Sequence, residues 1–213
     1  MKRGPAPARS ALKSARVPSI QSRAARQCER ILDAAEMCFI QSGFHGASMA
    51  HIATTAGMSP GLIYRYFDSK SAIVKAIIER HIESDQCQKI GQLNSAADVT
   101  RGILEVFECW RRGDDPKLNP VLLLELSAEA TRDAQIAHAV RSKDRVIGEE
   151  ITEAVRRSAR LAGITLTAAD ARSRAVVLQC LFEGLAIRLV RDPTLRRRTL
   201  QPALEKTITE LLS

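Results

Sequence analysis

Apolar residues recur along most of this chain at the spacing of an α-helix, so that each segment carries one apolar stripe. Between positions 23 and 42, five such residues fall at i, i+3, i+4, i+7 and i+8: Ile31, Ala34, Ala35, Cys38 and Phe39. Gly43 interrupts this pattern. No stretch shows the strict alternation of a half-buried strand. The pattern therefore predicts an all-α protein.

The same periodicity predicts further helices downstream, separated by residues that break helices. Gly113 and Pro116 lie in one such break, and Asp192 and Pro193 form another. The predicted helices cover residues 69–90, 96–112, 120–131, 133–162, 167–191 and 194–212.

Two short helical patterns lie between these longer ones, at residues 48–56 and from Ser59 onward. Gly57 ends the first, because glycine accepts the left-handed conformation that follows a helix end. Ser59 suits an N-cap, and Pro60 suits the first helical position, where a backbone N–H would have no hydrogen-bond partner within the helix. Two helices joined by so short a turn predict a helix-turn-helix, whose second helix enters the major groove of DNA.

The residues of this stretch resemble those of the TetR family of bacterial transcriptional repressors. The similarity rests on IATTAG from Ile52, on MSPGLIYRYF from Met58, and on Ser69-Lys70, and it covers about 45 residues densely. Further along, LLLELSAEATRD and FEGLAIRLVRDP are similar, more weakly, to the C-terminal domain of the BetI-like branch. That weaker similarity does not identify the effector.

The resemblance implies two folded parts within the all-α architecture. Residues 23–70 correspond to a three-helix DNA-binding domain with the helix-turn-helix, and residues 71–213 to a larger helical domain for effector binding and dimerisation. Residues 1–22 precede both, and their Pro, Ala, Ser, Lys and Arg content predicts a flexible basic arm. The arm either reaches DNA phosphates or the minor groove, or is an ordinary disordered leader.

Charge is distributed unevenly and favours a polyanion at the N-terminal end. Residues 1–80 hold 12 Lys and Arg against 5 Asp and Glu, so this part carries +7 of the chain's net charge of +8. Residues 81–213 hold 20 basic and 19 acidic residues and are nearly neutral. The excess positive charge therefore accompanies the predicted helix-turn-helix, as DNA binding requires.

Four residues are predicted to contact the DNA backbone. Ser48 and Ser59 each begin a helix, where free N–H groups and the positive end of the helix dipole attract a phosphate. The family resemblance implies that Tyr64 and Lys70 also bind phosphates. Contacts of this kind position a protein on DNA without reading the sequence.

Base reading is expected from the exposed start of the second helix, at Pro60, Gly61 and Arg65. An arginine paired with guanine through two hydrogen bonds contributes about 1–3 kcal/mol of discrimination, although Arg65 could equally bind another phosphate. Thr54 either contacts DNA or is a solvated helix threonine. His51 stands where a capping box has an acidic residue, so no complete capping box is expected.

A dimer is expected because one helix-turn-helix reads only a few base pairs, whereas two copies about 34–36 Å apart read a palindrome. A helix that is apolar on most sides must bury two faces, one in the body and one on a partner. Val177, Cys180 and Gly184 widen the apolar stripe in this way. The interface is predicted in the last two helices, at Leu178, Leu181, Leu185, Leu189, Leu200, Leu204 and Ile208.

A small-molecule effector is expected to bind in the body, where the chain has few aromatic residues. Phe107, Trp110 and Phe182 either line such a pocket or belong to the core. Glu125 and Glu183 lie within apolar helices and are either polar anchors in the pocket, exposed residues, or partners of an arginine. Trp110 with Glu125 or Glu129 would make only a poor cage for a quaternary ammonium group. An aliphatic-lined pocket for a hydrophobic or amphipathic molecule fits this composition best.

Other functional classes find little support in the sequence. The five cysteines and four histidines are scattered and show no spacing typical of a metal site, so neither metal nor cofactor is predicted. No catalytic cluster is evident, and an enzyme is disfavoured. No apolar run approaches the roughly 20 residues that span a bilayer, so a cytoplasmic location is expected. The alternative function is a helix-turn-helix protein without an effector, controlled by a protein partner or by its abundance.

Overall fold

The computed structural model describes residues 20–82, 90, 92–113, 115, 117 and 119–212, and the side chains of this part from residue 23 onward. Within those residues the chain forms nine helices and no strand, which confirms the all-α prediction. The helices are α1 (Ile20–Gly46), α2 (Met49–Thr55), α3 (Pro60–Ile63), α4 (Lys70–Ile82), α5 (Ala96–Arg112), α6 (Pro120–Ala130), α7 (Ala134–Leu161), α8 (Ala168–Arg191) and α9 (Arg197–Leu212). Two predicted segments lie outside the described residues: most of the arm, and residues 83–89 of the helix predicted at 69–90, which include Cys87.

Helix α1 carries the predicted apolar stripe, and every member of that stripe is buried. The expected end at Gly43 is instead a sharp kink, since Gly43 has φ 69° and ψ 169° and the helix resumes as far as Gly46. The N-terminal core includes side chains from α1 to α4. Its largest members are Ile31, Phe39, Ile52, Ile63, Ile73 and Ile77.

This core does not end at residue 70, where the sequence suggested a domain boundary. Helix α4 contributes Ile73, Val74, Ile77 and Ile78, all of which are buried. Apolar side chains of α6 and α7 then close the same cluster: Leu122, Leu126, Ile136 and Ala139. Because these residues share one apolar cluster, the DNA-binding end rests directly on the body.

The rest of the body packs around a second apolar cluster. Helix α5 lies against α9, and α7 lies against α8, while α6 contacts α1, α7 and α8. Side-chain caps begin most of these helices: Ser95, Asn119, Asp133 and Thr167 each accept a backbone N–H of the following first turn. These caps explain why the predicted boundaries of α5, α7 and α8 lie within about one residue of the observed ones.

The leucine stripe predicted for the dimer interface packs inside the protomer instead. Five of its seven members have at most 9% of their surface exposed: Leu178, Leu185, Leu189, Leu204 and Ile208. Leu181 and Leu200 are partly buried against the same cluster. These side chains therefore have little surface left to contact a partner, which disfavours the interface predicted at these residues. The opposite side of α8 exposes Val176, Val177, Cys180 and Gly184.

Candidate nucleic-acid interface

The helix-turn-helix is held by buried apolar contacts and by backbone hydrogen bonds. Ser48 caps α2, its Oγ accepting the backbone N–H of His51 at 3.0 Å. Gly57 has φ 66°, and this conformation lets Met58 N donate back to Ala53 O at 3.0 Å. Ile63 is fully buried and anchors α3 beneath the turn. The turn is thus fixed by α2 before any DNA is present.

Helix α3 is a single turn, Pro60–Ile63, and Tyr64 is its C-cap. Ser59 occupies the predicted N-cap position in extended conformation, but its side chain makes no cap hydrogen bond. Since Ser59 is exposed, its hydroxyl is directed to solvent rather than to the helix. Such a hydroxyl can donate to a DNA phosphate without first breaking a cap.

Seven of the eight residues predicted to contact DNA are solvent-exposed on α2, the turn and the segment around α3. Tyr64 exposes 54% of its surface, an unusual amount for a large aromatic residue. A Cβ added at Gly61 would meet no atom within 4 Å, so this position faces open space. Thr54 Oγ1 donates to Ala50 O at 2.9 Å. The exposed residues are Ser48, Thr54, Ser59, Pro60, Gly61, Tyr64 and Arg65.

Lys70, the eighth predicted DNA contact, is partly buried and points inward. Its Nζ donates to Phe44 O at 2.6 Å and lies 4.4 Å from the centre of the Phe44 ring. Both contacts bind the ammonium to the end of α1. To reach a phosphate this side chain would have to leave both partners.

Arg30 contributes to this region in a way that the sequence did not reveal. Its Nη2 donates to Ala56 O at 2.5 Å, and Nη1 donates to Gln27 Oε1 at 3.1 Å. A cation at the last carbonyls of α2 satisfies groups that the helix leaves open. Arg30 therefore ties α1 to the turn of the helix-turn-helix. The contact spans 26 residues, which no local pattern would disclose.

Comparison with known protein families agrees with this geometry. The model of bacterial regulatory proteins of the tetR family matches residues 31–77, which include α2, α3 and most of α4. The model of the C-terminal domain of BetI-type transcriptional repressors matches residues 114–213. Together the two matches span more than half of the chain. The chain belongs to the TetR family. Its members are DNA-binding transcriptional regulators, and the predicted family and function class are confirmed.

Individual relatives support the same assignment. The HTH-type transcriptional regulator UidR of Escherichia coli K12 is 28% identical over 135 residues, which cover 63% of this chain and 67% of UidR. The structure of Salmonella enterica GusR superposes with a TM-score of 0.69 at 24% identity, covering 88% of this chain and 95% of that one. FadR of Bacillus subtilis, solved in complex with stearoyl-CoA, gives a TM-score of 0.67 at 19% identity over 85% and 97%.

The five residues predicted to line an effector pocket lie in three different places in this TetR-family protein. Trp110 and Phe182 lie together, with ring centres 4.8 Å apart, whereas Phe107 is fully buried in the core. Glu125 accepts a hydrogen bond from Phe44 N at 2.8 Å, and Glu129 lies 3.0 Å from His45 Nε2. Both carboxylates thus contact the end of α1, in the DNA-binding part of the protein.

Trp110 also borders an open recess of about 250 Å³ between α5, α6 and α8. Its lining is mostly apolar, and it includes Pro120, Val121, Leu189 and Pro193. A larger recess of about 550 Å³ lies between α7 and α8, where charged residues such as Arg145, Glu149 and Arg172 line it. The apolar recess is the better match to the aliphatic pocket expected from the sequence.

In the part of the chain that the structure describes, no helix is long and apolar enough to cross a bilayer. The described His, Cys, Asp and Glu side chains form no group of three or more that could hold a metal ion. Cys28, Cys38 and Cys180 form no disulfide.

Proposed function

We propose that this TetR-family protein is a homodimeric repressor that binds a palindromic operator and releases it when a small molecule binds to the body. The observation that carries the proposal is the exposed polar surface of a rigid helix-turn-helix at the basic end of the chain. Ser48, Ser59 and Tyr64 supply phosphate contacts, and Pro60, Gly61 and Arg65 approach the base edges. A regulator of this kind works in the bacterial cytoplasm, where the chromosome lies.

Dimerisation in this proposal uses the exposed face of α8. Val176 and Val177 expose 50% and 48% of their surfaces, and Cys180 and Gly184 continue the same face, with the exposed Glu183 beside them. Small and β-branched residues let two helices approach closely across a two-fold axis. The two helix-turn-helix units of the dimer would then lie in successive major grooves, about 34–36 Å apart.

The effector in this proposal is a small apolar or amphipathic molecule that binds beside Trp110. The apolar lining of the recess supports this, as does FadR, a protein of the same fold solved with stearoyl-CoA. The alternative, a regulator without an effector, is favoured by the size of the recess. Its volume of about 250 Å³ lies below the usual range for ligand pockets, about 300–1,000 Å³.

A mobility-shift assay with salt titration tests the proposal. The probe is the promoter fragment next to the protein's own gene, and the control is the same fragment with a shuffled sequence. We expect binding to the promoter fragment at least about a thousand-fold tighter than binding to the control, as is typical of specific regulators. Equal affinity for both fragments would contradict sequence-specific regulation.

Replacing Arg65 by alanine is expected to weaken operator binding by about 1–3 kcal/mol for each half-site, because each protomer of the proposed dimer carries one Arg65. If Arg65 reads guanine, the mutation reduces discrimination between operator and shuffled DNA. If it binds a phosphate, both affinities fall and the slope of log K against log salt drops by about 0.9 for each protomer, or about 1.8 for the dimer. Arg198→Ala, at an exposed position on α9, is the matched control, because it removes the same charge far along the chain from the helix-turn-helix. Equal effects of the two mutations would count against the proposed surface.

A further inference from the structure

Phe44, at the kinked end of α1, is held on both sides of its backbone by charged side chains. Its N–H donates to Glu125 Oε2 of α6 at 2.8 Å, and its carbonyl accepts from Lys70 Nζ of α4 at 2.6 Å. Hydrogen bonds to charged groups are stronger than those between neutral groups. One residue therefore joins the end of α1 to the body and to the start of α4.

Gly43 makes this arrangement possible. Its φ of 69° turns the chain out of the helix, so that the N–H of Phe44 points to Glu125 instead of to the preceding helical turn. A Cβ at position 43 would lie 3.2 Å from Glu125 Oε2, so a side chain there would crowd the carboxylate. The backbone conformation and the close approach both favour glycine.

A second carboxylate lies one helical turn further along α6. Glu129 is buried, and its Oε1 lies 3.0 Å from His45 Nε2 and 3.3 Å from Arg132 Nη1. Residues four apart on a helix face the same side. Helix α6 therefore presents two acidic groups to consecutive residues of the α1 end, Phe44 and His45.

The segment that these carboxylates hold leads directly into the helix-turn-helix. Ala47 N donates to Gly43 O, and Ser48 then caps α2. Only three residues separate Phe44 from this cap, so a displacement of Phe44 displaces the start of α2. On its other sides α6 packs against α7 and α8. Helix α6 thus lies between the helix-turn-helix and the helix that carries the proposed dimer face.

We propose that Glu125 is a positioning residue for DNA binding: it docks the end of α1 on α6 and so fixes the orientation of the helix-turn-helix relative to the body. The proposal rests on the operator binding proposed above. Glu125 touches no DNA in this role. A displacement of α6 is transmitted to the exposed helix-turn-helix surface through the hydrogen bond from Phe44 N to Glu125.

The test compares full-length variants on the promoter fragment bound by the wild-type chain. Glu125→Leu removes the acceptor, and we expect about tenfold weaker binding with an unchanged salt slope, because no phosphate contact is lost. The loss of a negative charge alone would strengthen binding to a polyanion. A decrease in affinity therefore separates positioning from simple electrostatics.

Two conservative variants distinguish positioning from general damage. Glu125→Gln keeps an acceptor oxygen and is expected to restore affinity to within about threefold of wild type. Glu125→Asp keeps the charge but is one methylene shorter, and it is expected to bind as weakly as Glu125→Leu, which keeps the test valid if the leucine variant does not fold. Glu105→Leu, at an exposed position on α5, is the control. Titration with excess DNA gives the active fraction, so partial unfolding is not mistaken for a change in affinity.

The outcomes separate this inference from the function on which it rests. Wild-type affinity in both Glu125→Leu and Glu125→Asp would overturn the positioning role while leaving operator binding intact. Equal weakening by Glu125→Gln and Glu125→Leu would also overturn it, because an acceptor at this position would then make no difference. Absence of specific binding by the wild-type chain would overturn both the proposed function and this inference.

Discussion

Replacing Val177 by arginine is expected to abolish dimerisation and to weaken binding to a palindromic operator by roughly a hundred- to ten-thousand-fold. The range follows from the loss of bivalency, because linking two binding modules raises the overall affinity by about 10²–10⁴ without any new contact. Val177 does not belong to the helix-turn-helix, so each monomer should retain its affinity for a single half-site.

The physical basis lies in the two faces of α8. One face buries Leu178, Leu185 and Leu189 inside the protomer. The other exposes about half of Val176 and Val177. An arginine placed at a two-fold interface would meet its own copy or an apolar surface, and either contact carries a large desolvation penalty.

Light scattering coupled to size-exclusion chromatography measures the mass of each variant, and mobility shifts measure its affinity. Leu161→Arg is the matched control, since Leu161 is 74% exposed at the end of α7 and should leave both quantities unchanged. A dimeric Val177→Arg variant with wild-type operator affinity would exclude this face as the interface. A monomer that also loses half-site binding would indicate general damage rather than lost bivalency.

The sequence predicts most helix boundaries well, but it does not predict which surfaces the helices pack against. Local signals define α5, α7 and α8, because caps such as Ser95, Asp133 and Thr167 act over three residues. From sequence alone, the leucine stripe of α8 is interpreted as an intermolecular surface, but a periodic pattern indicates only that one face of the helix is apolar. Whether that face meets its own protomer or a partner is decided by tertiary packing.

The candidate site shows the same division between local and distant information. Exposure of Tyr64 and Arg65 follows from the short turn that presents them, and their contact with DNA stays a prediction from the resemblance to the TetR family. The hydrogen bonds from Phe44 to Glu125 and from Arg30 to Ala56 join residues 81 and 26 positions apart. No periodicity encodes such a pair, so from sequence alone Glu125 is either a pocket anchor, an exposed residue or the partner of an arginine.

The second large effect concerns the connection between α1 and α4. Glu36 is 1% exposed, and its Oε1 lies 2.7 Å from Arg80 Nη2 and 2.8 Å from His81 Nε2. Arg80 also contacts Glu29 and Asp33, at 2.9 and 2.7 Å. A buried carboxylate of α1 is thus neutralised by a basic pair at the end of α4. Removing one partner of a buried ion pair leaves an uncompensated charge.

The contribution of this cluster to the free energy of unfolding depends on pH through the protonation of Glu36. Burial alone would raise the pKa of Glu36, but hydrogen bonds from His81 and Arg80 together with their charges outweigh burial and lower it. A carboxyl whose pKa is lower in the folded state stabilises the fold at pH values above its unfolded pKa. That contribution is lost as the pH falls through the folded pKa. Unfolding free energy is therefore expected to decrease on acidification below the ordinary pKa of a glutamate.

Glu36→Ala is expected to lower the free energy of unfolding at pH 7 by about 3–5 kcal/mol, and to flatten its decline with acid. Glu29→Ala is the matched control, because Glu29 contacts the same guanidinium but is 56% exposed, and exposed pairs contribute only about 0–1 kcal/mol. Urea unfolding at several pH values measures both. Equal losses from the two mutations would show that burial of Glu36 adds nothing. A larger loss for Glu36→Ala would show that the buried ion pair holds α1 against α4, and with α1 the helix-turn-helix that follows it.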